Sequence, residues 1–299
     1  MRNYFPLFLI LVFACLAYPQ APTSETPGQN PVAEAVEAET LVPSPPPPGM
    51  VAVPTGEFWM GRVHFFVVDA IGWFERDRMD NTPAHRVTLD AFYMDRNEVA
   101  NEGYLRFADE TGRSRPWQWP KGEIPGGDKT IPVYNVSWED ADAYCSWSGK
   151  RLPTEAEWEK AARGGHDRKR FSWGDEGMGL EGYEVNDDSV AAKTGKRAHT
   201  NYPFGPTAVG SYPSNEYGLN DMSGNVWEWV DDWYYRNYYS ISPLENPPGP
   251  ETGKYKIIRG GGWSDSDDRN LMNHFRSYAD PEVKSTTVGF RCAQSVPVQ

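Results

Sequence analysis

The segment PVYNVSWEDADAYCSWSGKRLPTEAEWEKAARGG, residues 132–165, constrains the fold of this chain more than any other stretch. It contains two helix starts written out in side chains. Ser137 stands three residues before Asp140, and Thr154 three residues before Glu157. In this spacing a hydroxyl accepts a hydrogen bond from the backbone three residues on, and the acid there returns one. Gly149 closes the first helix, and Gly164 and Gly165 close the second, because glycine takes the left-handed backbone of a helix end without steric cost. Ala141, Tyr144 and Cys145 share one face of the first helix, and Ala156, Trp158 and Ala161 share a face of the second less strictly. A third helix is predicted from Asn101, read as its cap, to about Glu110, with Gly112 beyond its end.

Elsewhere the pattern is irregular. The chain has 299 residues with 28 Gly, 26 Pro, 12 Trp and 16 Tyr, so loops and aromatic packing must carry the core. MVAVPTGEFWMG (50–61) alternates like a strand and stops at Gly61, and HRVTLDAFYMDRNEV (85–99) reads as a strand-pair region. After about Phe171 the expectation is short strands among Gly, Asn and Asp. The fold class predicted is α+β, in a single domain over residues 50–299. The net charge of −13 excludes nucleic-acid binding by bulk electrostatics and leaves cation binding open.

The amino terminus reads as an export signal over residues 1–17. Arg2 precedes the apolar run FPLFLILVFACLA (5–17), which is too short to span a bilayer comfortably. VFAC (12–15) places a small residue before Cys15, as in a bacterial lipoprotein cleavage box, so Cys15 is the expected lipidation site; the alternative is cleavage after Ala17. Residues 18–49 are rich in Pro, Glu, Ala and Thr and read as an extended tether. Signal, tether and domain together predict an exported protein of the bacterial cell envelope, in the periplasm or on the outer membrane. Its contact with the membrane would come only through that lipid anchor.

The segment 138–165 with its preceding VS, HRVTLDAFYMDRNEVAN, YGLNDMSGNVWEWVDDW (217–233), NPPGP (246–250), KIIRGGGW and GFRCA (289–293) occur here in one order. Together they resemble the formylglycine-generating enzyme, or sulfatase-modifying factor, family, from about Met50 to Ala293. The resemblance implies a single compact α+β domain related to C-type lectins, with little regular secondary structure.

Chemistry begins with NDMSGNVWEWVDD (220–232). Hard cations take oxygen ligands from carboxylates and main-chain carbonyls at short, irregular spacing. The resemblance implies a calcium loop here, with Asp221 and Glu228 ligating by side chain and Gly224 and Val226 by carbonyl. The alternative is a capped acidic loop whose tryptophans belong to the core. A second family calcium site is less complete: Asn186 and Asp187 match ligands, Asn201 stands where the family has an aspartate, and Pro203 would offer its carbonyl. Glu98, in RNEVAN, is a further metal candidate. The five histidines show no metal-binding spacing.

With Cys15 in the leader, Cys145 and Cys292 remain. An even pair in an exported protein is a disulfide candidate, the alternative being two buried thiols. The resemblance implies a structural bridge between them. It also implies an active-site lip at KIIRGGGWSDSDDRN (256–270), where the enzymes carry a serine and two copper-binding cysteines. Those positions fall here on Gly262, Asp265 and Asn270. Cu(I) selects soft thiolate, which carboxylate and amide oxygens do not replace, so copper is not expected. Two functions follow. One is a non-catalytic module that binds an exported protein, peptide or glycan in a groove near Trp227, Trp263 and Asp265. The other is an oxidative enzyme of the same family that matures an exported protein or peptide by non-cysteine chemistry, with Asp265, Asp267, Asp268 and Arg276 as a polar cluster.

Overall fold

The computed structural model describes residues 45–63, 80–175, 205–265 and 268–297. These all lie in one unit, Thr40–Gln299. The expected signal, Cys15 and tether up to residue 44 lie outside the described residues, as do Asn186, Asp187, Asn201, Pro203 and Asp267.

Nine short strands and three helices make up the described framework. Strands β1 (Met50–Val53), β4 (Phe92–Asp95) and β9 (Ala293–Ser295) form one antiparallel sheet in the order β1-β4-β9. Strands β2 (Gly56–Met60) and β3 (His85–Leu89) form a second, antiparallel pair. The third sheet runs β7 (Arg276–Ala279), β6 (Lys256–Arg259), β5 (Trp227–Trp233), β8 (Val288–Gly289), with β5 and β8 parallel. The stretch read as one strand, residues 50–61, is therefore two. Pro54 and Thr55 interrupt it, and each half pairs in a different sheet.

Helix α1 spans Asn101–Thr111, α2 Trp138–Trp147 and α3 Glu155–Arg163. Both capping boxes form as the sequence implies, Ser137 with Asp140 and Thr154 with Glu157. Asn101 is not a cap. The capping position is Ala100, with no side-chain bond, and Asn101 instead sends its amide to the carbonyl of Asp128 at 3.2 Å. Gly112 and Gly164 end α1 and α3 in the left-handed region, at φ 71° and 63°.

The core has two main clusters. Phe58, Met60, Phe92, Met94, Trp158 and Ile257 anchor one, and Tyr104, Phe107, Trp229, Ile258 and Phe290 anchor the other. Helix α3 looks charged in sequence, EAEWEKAAR, yet every one of its residues is buried. Two of its acids, Glu155 and Glu159, are neutralised from the third sheet. Arg259 meets Glu159 at 2.7 Å and Glu155 at 3.3 Å, and Arg276 meets Glu155 at 2.7 and 2.9 Å. Buried charges need such partners, because an isolated one would lose several kcal/mol of solvation.

Candidate functional site

Strand β6 ends at Arg259, and the chain then turns through Gly260 and Gly261 at φ +94° and +76°. Glycine is required at the second of these. A Cβ on Gly261 would stand 2.2 Å from Leu271 Cδ2 and 3.0 Å from the carbonyl of Asn270. The glycines thus let the lip close directly against the 268–271 turn.

That approach brings the two key polar groups together. Asp265 accepts from the Gly262 N–H at 2.6 Å through one carboxylate oxygen, and from Asn270 Nδ2 at 2.7 Å through the other. The Asp265 N–H donates back to the Gly262 carbonyl at 3.0 Å. Trp263 donates its N–H to the Asn225 carbonyl at 2.7 Å and its indole N–H to the Thr286 carbonyl at 3.0 Å. A Cβ on Gly262 would lie 2.9 Å from Trp227 Cδ1, so the Trp227 ring packs directly beneath the lip. Gly262, Trp227, Trp263, Asp265 and Asn270 thus lie together.

Arg276 does not join it. Its guanidinium is wholly buried against Glu155 and the Asp80 carbonyl, in the charge framework behind the sheet. The expectation of an acid–base cluster uniting Asp265 with Arg276 fails for that reason: the cation is already committed.

The acidic loop stands next to β5. Asp221 has φ +58° and accepts from the N–H groups of Gly210 and Tyr212. Glu228 is 1% exposed, and its oxygens are fully engaged. Arg291 donates to both, at 2.8 and 2.7 Å, and Trp158 Nε1 adds a third bond at 2.8 Å. The Gly224 N–H donates to the Gly260 carbonyl at 2.7 Å, which joins this loop to the lip; Gly224 and Val226 are both buried.

Glu98 is different. It is 3% exposed, and no neighbouring group donates to either of its carboxylate oxygens. Burial pushes its carboxyl well above the usual range, and the negative charge of Asp221 pushes it further. Burial likewise raises Asp221, against the two backbone N–H groups that favour its charge. Two neighbouring buried carboxylates, Glu98 with both oxygens unpartnered and Asp221 held by two backbone N–H groups, are a donor set that fits a hard cation. Among the described residues, no group of three or more His, Cys, Asp or Glu side chains converges on a metal position. Any ion here would therefore draw on Glu98, Asp221 and main-chain carbonyls. Among the described residues Glu98 has both carboxylate oxygens buried without a hydrogen-bond partner, and its only signal in the sequence was an isolated acid ahead of a helix.

Cys145 and Cys292 form a disulfide with Cα atoms 5.6 Å apart. It ties α2 to the segment before β9, and both cysteines are fully buried.

Comparison with known proteins agrees with this fold. The model of the sulfatase-modifying factor enzyme 1-like domain matches residues 37–296. The formylglycine-generating enzyme of Streptomyces coelicolor is 35% identical, over 82% of this chain and 88% of its own length. The serine/threonine-protein kinase pkn1 of Chlamydia pneumoniae is 36% identical over 89% of this chain, which spans only 41% of the kinase. Among solved structures, PvdO from Pseudomonas aeruginosa superposes with a TM-score of 0.61 at 27% identity, covering 82% of this chain and 94% of PvdO.

Proposed function

The chain belongs to the sulfatase-modifying factor family, and from that premise we propose that it is a non-catalytic, exported binding module, carried on the cell envelope by its amino-terminal segment. The observation that carries this reading is the lip. Asp265 and Asn270 occupy the positions where the resemblance places the copper-binding cysteines, and the Asp265 carboxylate accepts from the Asn270 amide and from the Gly262 N–H. A carboxylate and a carboxamide locked in this way supply neither a thiolate for Cu(I) nor a redox-active side chain. The domain's own cysteines, Cys145 and Cys292, are held in a buried bridge. What remains at the lip is the half-buried Trp263 beside bonded backbone, backed by the buried Trp227, and suited to holding an exported protein, peptide or glycan.

Two further features support the setting. A disulfide persists in oxidising compartments, which agrees with an export signal ahead of the domain. Calcium would be held by Glu98 and Asp221 with main-chain carbonyls of the acidic loop. There it would supply the positive charge that the two carboxylates lack, and it would fix the segment that donates to Gly260. In this reading Glu228 is a structural partner of Arg291 and not a direct ligand.

The test is a gain of function. The unaltered protein and the double variant Asp265→Cys, Asn270→Cys are titrated with Cu(I) against a chromophoric chelator. The unaltered protein should leave the chelator loaded, and the variant should withdraw one equivalent. Tight, stoichiometric Cu(I) binding by the unaltered protein would contradict the reading.

A further inference from the structure

Three tyrosines from neighbouring strands of the third sheet lie against one another. Tyr234 directly follows β5, Tyr255 directly precedes β6, and Tyr278 lies within β7. The sheet order β7-β6-β5 and the bond from the Tyr234 N–H to the Tyr255 carbonyl, at 2.7 Å, hold their backbones side by side. The Tyr278 ring stacks on that of Tyr234 with centroids 4.0 Å apart and planes 27° from parallel. That is closer than the roughly 4.5–7 Å of most aromatic pairs. The Tyr255 ring stands farther from Tyr278, at 5.2 Å and 36°.

The surroundings single out the closer pair. Tyr278 is 46% exposed, so an oxidant in solution can reach it. Tyr234 is half-buried, and its hydroxyl donates to Asp80 Oδ2 at 2.8 Å. A phenol gives up an electron more readily when a positioned base takes its proton in the same step. Asp80 is placed as that base. It is buried, and burial raises its carboxyl, which strengthens its hold on a proton. Arg276 lies over the Tyr234 ring at 5.4 Å, and the Asp80 carboxylate offsets that charge. Lys254 lies over the Tyr255 ring at 4.9 Å, and a cation there opposes the loss of an electron from Tyr255.

We propose that Tyr234 and Tyr278 are a site of oxidative coupling, joined to each other by a one-electron oxidant of the peroxidase class acting with hydrogen peroxide. One electron leaves each phenol by way of the exposed Tyr278 ring. The Tyr278 proton goes to water and the Tyr234 proton to Asp80, which later releases it to solvent. The two phenoxyl radicals form a bond between one ortho carbon of each ring, and the hydrogens on those carbons move to the phenolic oxygens. Two phenols and one hydrogen peroxide thus give one dityrosine and two waters. The new bond would staple β5 to the edge strand β7 across β6. The inference goes beyond the binding-module reading and uses none of the residues of the lip.

The test treats the full chain, dilute enough to disfavour contact between molecules, with a haem peroxidase and hydrogen peroxide. Free tyrosine in a parallel tube shows that the oxidant is active. The product is digested and mapped by mass spectrometry. The expected product is a monomer that has lost two hydrogens, with its peptides joined at Tyr234 and Tyr278. Tyr234→Phe and Tyr278→Phe should each abolish this product, and Tyr255→Phe should leave its yield unchanged. Asp80→Asn should slow its formation at least about tenfold, as loss of a positioned base does. Joining of Tyr255 to Tyr278 instead, coupling only between molecules, no coupling, or an unchanged rate in Asp80→Asn would each overturn the proposal. None of these outcomes bears on copper at the lip, so failure here is distinct from failure of the broader reading.

Discussion

Arg291 is the residue whose loss should be felt most sharply. Its guanidinium is fully buried and makes two bonds to Glu228, at 2.8 and 2.7 Å. It also donates to the carbonyls of Asp95 and Arg96, at 3.2 and 3.1 Å, and of Asn220 at 2.9 Å. One side chain thus joins β4, the acidic loop and β5. Arg291→Met keeps the volume and removes every one of these donors. Glu228 would be left buried with only the Trp158 indole bond. Breaking a buried pair in this way costs about 3–5 kcal/mol, because the surviving charge has no solvent and no partner. For a domain of this size, that lowers Tm by roughly 6–20 °C. The assay is thermal and urea unfolding in the presence of chelator, so that no bound cation contributes. Adding Glu228→Gln to Arg291→Met removes the stranded charge but keeps an acceptor for Trp158, and it should restore about half of the loss. A cost below about 1 kcal/mol for Arg291→Met, or no recovery in the double variant, would refute the argument that this pair holds the three elements together.

Four other outcomes follow. Burial lowers the Lys160 ammonium to about 8, with its Nζ donating to the Gly56 carbonyl; between there and the unfolded value of ~10.4 the unfolded chain keeps a proton that the folded chain has lost, so this site adds stability as pH rises. Lys160→Met should remove that gain relative to the unaltered protein over pH 8 to 10, and parallel pH profiles for the two proteins would count against it. The Cys145–Cys292 bridge spans 147 residues, so reduction or Cys145→Ala with Cys292→Ala should cost up to about 5 kcal/mol on the chain-entropy model, read by urea unfolding; an unchanged midpoint would sink that estimate. Chelation should lower Tm, and Glu98→Gln should abolish most of the response, since calcium at a hundred times its dissociation constant stabilises by about 2.7 kcal/mol; an identical melt with and without chelator would remove calcium from the account. Gly261→Ala should destabilise the domain strongly in thermal melts, because its Cβ would overlap Leu271 and its φ of +76° disfavours any side chain; a neutral result would mean that the lip is not closely packed.

Local features were legible in the sequence, and long-range ones were not. The two capping boxes specify α2 and α3 because each is completed within four residues. Asn101 misled for the complementary reason: its side chain bonds to Asp128, a partner that only the tertiary fold supplies. The break of residues 50–61 into β1 and β2 could be suspected at Pro54, but their separate partners, β4 and β3, could not. The sharpest gap concerns α3. Glu155, Glu159 and Arg163 look like a solvated face and are in fact buried against Arg259, Arg276 and one another. Charge pattern alone cannot distinguish a surface from an internally neutralised core. The same blindness placed Arg276 at the lip. The lip was placed by the family resemblance, which put Gly262, Asp265 and Asn270 at one site; the turn brings them together through contacts close in sequence.

The account's central claim is that the lip lacks the means to oxidise a cysteine. The direct test supplies the purified protein with a peptide carrying the CxPxR motif, together with copper and oxygen, and follows the peptide by mass spectrometry. The account predicts an unchanged cysteine-containing mass, because Asp265 and Asn270 offer oxygen and amide nitrogen already bonded to each other where soft sulfur is needed. Conversion of the cysteine to an aldehyde, with loss of its sulfur, would contradict that claim and make this protein an enzyme acting through residues other than those assigned.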